Sequence, residues 1–266
     1  MLPLYEAKMF HQFDHRWATY DGLDVRDASL AEKCNKAFTV LPRYWVADEE
    51  INARLSGKWD KSWLLAFRDI ARSTDERTMI ASALPRVAVG HTAPIVDADC
   101  PLVLSAMWAS LAFDYVARQK VGGTHMTYSY LKQLPMLDRE TLEAPALWDS
   151  TQSLREWIED RALRLIVTAD DVVSALETNT IEWNDSERLI IRAELDAAFL
   201  VLFGATRTDA EHILDSFPIV RRKEWIEHGR FLTKERVLDS FDQLRDAMNA
   251  GLPYNSRLNT SQGATA

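Results

Sequence analysis

The spacing of apolar positions changes character part-way along the chain. Up to about residue 138, short β-like runs, aromatics and breakers alternate. The run 38–46 (FTVLPRYWV) is aromatic and β-branched, with a proline that suits an edge strand or a bend. The stretch 63–71 (WLLAFRDIA) fits strand or helix by periodicity. The polar turn and second apolar run in 72–85 favour a strand for it. Residues 86–96 (RVAVGHTAPIV) alternate again and carry a glycine and a proline. Between 101 and 118, Leu104, Met107, Trp108, Leu111 and Tyr115 recur at helical spacing. The pair Gly122–Gly123 ends that helix. The next run, 124–131 (THMTYSYL), alternates as a strand would, with Met126, Tyr128 and Tyr130 on one face. Leu134–Pro135 stops it.

From about 139 onward the signals are helical. Ser153 with Glu156 forms a capping box ahead of Leu154, Trp157, Ile158 and Leu165. Asn184 with Glu187 opens a helix that runs to Gly204; Thr208 with Glu211 opens a short one that stops at Pro218. A last helix runs from near Lys234 to Gly251. The polar tail 255–266 is expected to be disordered. No internal repeat is present. The pattern predicts an α+β protein: a mixed α/β domain over residues 1–138, then a helical domain over 139–266, with the boundary near 138–150.

Charge sharpens the division. The net charge of −9 argues against a generic nucleic-acid binder. Yet residues 1–138 hold 16 Lys+Arg against 17 Asp+Glu, so the acidity belongs mostly to the C-terminal half. Within 51–90, 7 basic residues face 4 acidic ones, so a locally basic face remains open. No apolar run reaches the roughly 18 residues needed to span a bilayer, and the N-terminus does not read as a secretory signal. Cys34 and Cys100 are too few for a disulfide scaffold and read as two reduced, buried thiols of a cytosolic protein.

Candidate chemistry is sparse. His11, Asp14 and His15 form an H-x-x-D-H, which on a helix would present two imidazoles on one face, as zinc helices do. The crowded aromatics Tyr5, Phe10, Phe13, Trp17 and Tyr20 favour a packed, irregular segment instead. There is no G-x-G-x-x-G, no phosphate loop of the Walker type, no G-x-S-x-G and no C-x-x-C. Binding chemistry is better represented. Residues 68–78 (RDIARSTDERT) offer Arg68, Arg72, Ser73, Thr74, Arg77 and Thr78, whose guanidinium and hydroxyl groups suit phosphates and base edges. Residues 118–130 (RQKVGGTHMTYSY) offer Lys120, Thr124, His125 and Thr127 beside Gly122 and Gly123, which permit close backbone approach to a ligand. The alternatives are a solvated loop for the first cluster and a helix end feeding a core strand for the second.

These segments carry a resemblance. Residues 3–22 (PLYEAKMFHQFDHRWATYDG), 68–85 with 113–136, and 192–224 resemble the C-terminal region of adenine-specific DNA methyltransferases in bifunctional type II restriction–modification enzymes. Related proteins occur in phage-defence islands. The Gly-Gly-Thr and Leu-Pro elements of 113–136 resemble the close of a target-recognition domain. The resemblance implies a module that reads double-stranded DNA on the face carrying 68–78 and 118–128 and joins a methyltransferase catalytic domain or subunit. It implies that His11, Asp14 and His15 pack and link, with Arg16 on a phosphate. The chain departs from the family in having no Pro-Pro dipeptide and no cofactor glycine motif. The expectation is therefore an excised fragment or split subunit that neither binds S-adenosylmethionine nor methylates DNA alone. Two other readings stay open: a protein-interaction or scaffold subunit of a phage-defence complex docking through the acidic helical half, and a small metal-dependent nuclease using His11, Asp14 and His15.

Overall fold

The β-like runs of the first half become short strands in three separate small sheets, and a fourth lies further on at residues 145–153. The structure is a computed structural model and describes residues 1–258. It opens with β1 (Leu2–Tyr5), a 3-10 turn over Ala7–Met9, and the hairpin of β2 (Ala18–Asp21) and β3 (Asp24–Asp27). Next come α1 (Leu30–Cys34), β4 (Trp45–Val46), α2 (Asp48–Leu55), β5 (Trp63–Phe67), β6 (Ala81–Pro85) and β7 (Ala88–Val89). β1 pairs antiparallel with β4 and parallel with β7, while β5 and β6 pair antiparallel with Leu65 opposite Ala83. Only the end of the 38–46 run is strand; the exposed Leu41 and Tyr44 each accept one isolated backbone hydrogen bond, from Tyr20 N–H at 3.0 Å and Leu4 N–H at 2.9 Å, without extending a ladder.

The β5–β6 hairpin explains why WLLAF fits two periods. Trp63, Leu65 and Phe67 enter one apolar cluster, and Leu64 and Ala66 enter another. Both faces are covered, so no polar position marks the alternation. The opposite edge of β5 is closed by residues 94–96, through Phe67 N–H to the Pro94 carbonyl at 3.0 Å and Val96 N–H to that of Leu65 at 2.9 Å.

The helix expected over 101–118 is two helices, α3 (Pro101–Ala109) and α4 (Leu111–Lys120). Ser110 sits extended between them and its hydroxyl accepts the Phe113 N–H at 3.2 Å, so it ends one helix and caps the next. The strand expected over 124–131 is corrected to a single bridge, Ile70 to His125, followed by the short helix α5 (Tyr128–Leu131). Thr127 caps that helix, and the period-2 reading fails because Tyr128 is 49% exposed while Leu131 is buried.

Then follow α6 (Arg139–Glu143), the hairpin of β8 (Pro145–Ala146) and β9 (Asp149–Ser153), and α7 (Leu154–Ile166), opened by the Ser153–Glu156 capping box. The remaining helices are α8 (Asp170–Leu176), α9 (Asp185–Leu202), α10 (Arg207–Asp215), α11 (Pro218–His228) and α12 (Leu232–Ala250). Asn184 caps α9, and Gly204 follows it at φ +77°. The box that opens α10 is Thr206–Asp209, two residues before the expected one, which leaves Thr208 inside the helix. Pro218 starts α11 as well as following α10, a role that its fixed φ and missing N–H suit.

The fold is α+β, with 48% helix and 15% strand. One apolar cluster joins Phe67 and Ala83 of the hairpin to Trp108, Phe113, Trp157, Phe199, Phe241 and Leu244. It therefore runs through both sides of residue 138, with α3 packed on α7 and α9 packed on α12, α7 and α4. The start of the tail is packed against the fold: Ser256 is buried and its hydroxyl donates to Glu194 at 2.5 Å. Residues 259–266 lie outside the described residues. Contrary to the expectation of buried thiols, Cys34 is exposed and Cys100 half-buried. Among the described residues no helix is long and apolar enough to cross a membrane.

Candidate nucleic-acid interface and a basic cleft beside it

The H-x-x-D-H is a tight reversal, not a helix. His11 and Asp14 exchange both backbone hydrogen bonds, at 2.8 and 3.0 Å, and Phe13 between them adopts a left-handed φ of +59°. That conformation strains a residue with a Cβ, and the buried Phe13 ring holds it there. The three polar side chains go to different partners. The His11 ring packs on Trp17 with centroids 4.5 Å apart. Asp14 accepts from the Arg16 N–H at 2.9 Å and from Lys33 Nζ at 2.8 Å, and His15 Nε2 meets Asp171 at 2.9 Å. Among the described residues no group of three or more His, Cys, Asp or Glu side chains is placed to hold a metal ion.

Arg16 is corrected from a surface phosphate contact to a buried junction that joins segments of both halves. It is fully buried and donates to the carbonyls of Lys33 and Asn35, both at 2.8 Å, Thr168 at 3.0 Å and Phe38 at 3.3 Å. The planar guanidinium fork suits this task, because it satisfies several loop carbonyls at once.

The polar cluster over 68–78 divides into an inner and an outer set. Arg68 donates to the Phe10 carbonyl, and burial pulls its pKa down to about 10. Arg77 is buried and paired through Nε with Asp114 at 2.6 Å. Thr78 is buried, and its hydroxyl donates to the Arg72 carbonyl at 3.0 Å. Asp114, on α4, also accepts the N–H groups of Thr78 and Met79 at 2.9 and 3.0 Å, which fastens the loop to the helix. These three side chains hold the loop to the rest of the fold. Arg72, Ser73 and Thr74 are exposed.

The second cluster is almost wholly exposed: Lys120, Gly122, Gly123, Thr124, His125 and Thr127 all lie at the surface. A Cβ built on Gly122 or Gly123 would meet nothing within 4 Å, so neither glycine is demanded by packing. The fold brings the two clusters together. Ala71 N–H donates to the Thr124 carbonyl at 3.0 Å, Met126 N–H donates to Asp69 at 2.6 Å, and His125 Nδ1 lies 2.9 Å from the Asp69 carboxylate. Residues 72–74 and 120–127 thus form one polar ridge extending from the end of β5.

Beside the ridge lies a cleft of about 280 Å³ between the HQFD reversal, α9, α11 and α12. It was not anticipated from sequence. Arg77, Arg192, Lys223 and Arg236 line it together with Glu76, Asp196 and Glu224. Arg188, Arg192 and Asp196 follow one another at i, i+4 and i+8 along α9, and charged residues on a packed helix face were the available signal. Burial keeps the His11 imidazole well below the usual histidine range, and the nearby Arg68, Arg192, Arg77 and Lys33 lower it further.

The fold and its sites define a class: an α+β protein with an exposed polar ridge and a basic cleft behind it. No protein-family model, no curated protein and no solved structure matches the chain.

Proposed function

We propose that this chain is the DNA sequence-recognition part of an adenine-specific DNA methyltransferase or restriction–modification enzyme. In this reading S-adenosylmethionine and the catalytic residues belong to a partner domain or subunit. The observation that most supports it is the backbone pairing of 69–71 with 124–126, which merges two polar clusters into one exposed ridge. On that ridge Arg72 and Lys120 reach for phosphates, and Ser73, Thr74, Thr124 and Thr127 supply hydroxyls for phosphates and base edges. Asp69 and Asp75 sit in the same ridge. Carboxylates weaken nonspecific attraction to DNA but accept from the cytosine amino group, so affinity is low and selectivity carries the function. The test is fluorescence anisotropy of the whole chain on duplex DNA between low and physiological salt. Weak binding is expected, with Arg72→Ala and Lys120→Ala each flattening the logarithmic salt slope by about one unit. Absence of duplex binding at low salt, or an unchanged slope in both variants, would refute the proposal.

One observation favours a second reading, a subunit that docks another protein through its helical half. Trp225 is 57% and Ile226 80% exposed on α11, a helix with no buried residue. Large exposed apolar side chains side by side mark contact surfaces. Trp225→Ala leaves the DNA titration unchanged if DNA lies on the ridge, and abolishes assembly with the partner if α11 is the docking element.

A further inference from the structure

Two of the four cations lining the cleft between α9, α11 and α12 have a carboxylate partner and two do not. Arg77 pairs with Asp114 at 2.6 Å and Lys223 with Glu76 at 2.5 Å. Arg192 is half-buried, and its single hydrogen bond goes to the neutral Oε1 of Gln12 at 3.3 Å. Arg236 is half-buried and makes neither a hydrogen bond nor an ion pair among the described residues. The carboxylates in the cleft are engaged elsewhere. Glu224 accepts both the backbone N–H and the hydroxyl of Thr233, at 2.9 and 2.5 Å. Asp196 accepts the Leu111 N–H at 2.7 Å. Two guanidinium groups thus face one concavity with no carboxylate in direct contact, although Asp196 and Glu76 act on Arg192 from a distance, and a bound anion would complete their hydrogen bonding.

The geometry points to a phosphate group as that anion: we propose that Arg192 and Arg236 bind a phosphate in this cleft, with Lys223 and Arg77 supplying the surrounding positive field. A guanidinium fork matches the oxygens of a phosphate two at a time, and two forks suit its spread charge better than they suit a single carboxylate. A stacked nucleobase is excluded as the main contact. The Trp17 ring at the cleft wall already carries His11 at 4.5 Å and the Lys33 ammonium at 4.5 Å. A second cleft of about 300 Å³ shares His11, Trp17, Leu189 and Arg192 and adds Lys33 and Arg188. Asp14 and Asp185 line that second cleft too, and Arg192 stands where the two clefts meet. The phosphate comes either from a DNA backbone diester or from a free phosphomonoester. The proposal does not depend on the ridge reading DNA.

The experiment is isothermal titration of the whole chain with inorganic phosphate, a nucleoside 5′-monophosphate and a short DNA duplex, each at low salt. Binding of at least one probe is expected, weakened about tenfold or more in Arg192→Gln and in Arg236→Gln. A response to the small phosphates identifies a phosphomonoester site. A response to duplex alone identifies the backbone diester. Arg72→Ala, on the ridge, separates the two proposals: it weakens duplex binding through the ridge and leaves inorganic phosphate binding unchanged. In the unmodified chain, a bound phosphate also moves the His11 imidazole resonance, which requires no substitution to fold. Failure of all three probes to bind, undiminished binding in both glutamine variants, or an unmoved His11 resonance at saturation would overturn the proposal.

Discussion

Asp196 shows how far burial moves a single group. Desolvation pushes its carboxyl up to about 6 from the usual 3.8, against the opposing pull of Arg77, the Leu111 N–H and Arg192, and with Asp114 adding to the rise. The folded form therefore holds its proton more tightly than the unfolded chain does. Its favourable contribution is complete below about pH 4 and is lost as pH rises through about 6. Asp196→Asn keeps an oxygen for the Leu111 N–H and removes the charge. The melting temperature of Asp196→Asn relative to the parent should rise from pH 4 to pH 7, by the equivalent of up to about 3 kcal/mol. Parallel pH profiles for the two proteins would show that the carboxyl titrates normally. The arginines at this scale follow the same rule of surroundings. Arg16, Arg68 and Arg188 donate to backbone carbonyls, and Lys33 lies over Trp17 and Trp183. Three interior arginines are thus satisfied by backbone dipoles, whereas Lys33, Arg77 and Arg161 also pair with the carboxylates of Asp14, Asp114 and Glu194.

At the scale of elements, α7, α9 and the end of the chain meet at Glu194. Its carboxylate accepts from Arg161 Nε at 2.8 Å, the Ser256 hydroxyl at 2.5 Å and the Tyr254 hydroxyl at 3.1 Å. Burial drives the Tyr254 phenol upward, and the Glu194 charge and hydrogen bond add to it, so the phenol stays a donor at any physiological pH. Arg161 also lies 3.4 Å over the Trp157 ring. Removing one partner of a buried pair leaves an uncompensated charge. Glu194→Gln should lower unfolding free energy by about 3–5 kcal/mol, measured by denaturant midpoint. It should also open 254–258 to proteolysis before the rest unfolds. A midpoint within about 0.5 kcal/mol of the parent, the range of an ordinary surface change, would refute the clamp. Asp114 plays the same part for the ridge, because it ties Arg77, Thr78 and Met79 to α4.

For the whole molecule, the continuous core decides how the halves depend on each other. Leu104, Met107, Trp108 and Phe113 lie before residue 138, yet they share one cluster with Trp157, Phe199 and Leu244. Without the second half these side chains face water. Each large apolar side chain left exposed forgoes about 1.5–3 kcal/mol, more than the net stability of a small domain tolerates when several are lost. Residues 1–138 expressed alone should therefore lack a cooperative thermal transition and bind a hydrophobic dye. A sharp melt with native near-ultraviolet dichroism would show that the first half folds by itself. Charge acts over the same distance. Glu76, Asp196 and Glu224 in the cleft lining shorten the range over which it attracts an anion.

Much of the local structure was legible along the chain. The Ser153–Glu156 box, the Asn184 cap and the glycines at 204 and 251 depend on partners within a turn, so the residues that decide them lie in one short window. The α+β class follows from the same local periods. Local pattern misled where context overrode it: THMTYSYL alternates, but Thr127 caps a helix, and one serine splits the run that reads as a single helix. The two polar clusters were legible as composition, whereas their union and their division into exposed and buried members were not. Whether Arg72 meets solvent while Arg77 meets Asp114, or whether Arg16 reaches the Thr168 carbonyl 152 residues away, depends on neighbours that only the folded chain assembles. The cleft arises in the same way, because Arg77, Arg192, Lys223 and Arg236 come from four separate segments. Charge interactions decay over ångströms in space and take no account of distance along the chain. The sequence by itself therefore determined the elements and their ends, and only the tertiary structure decided which charges remain free to bind.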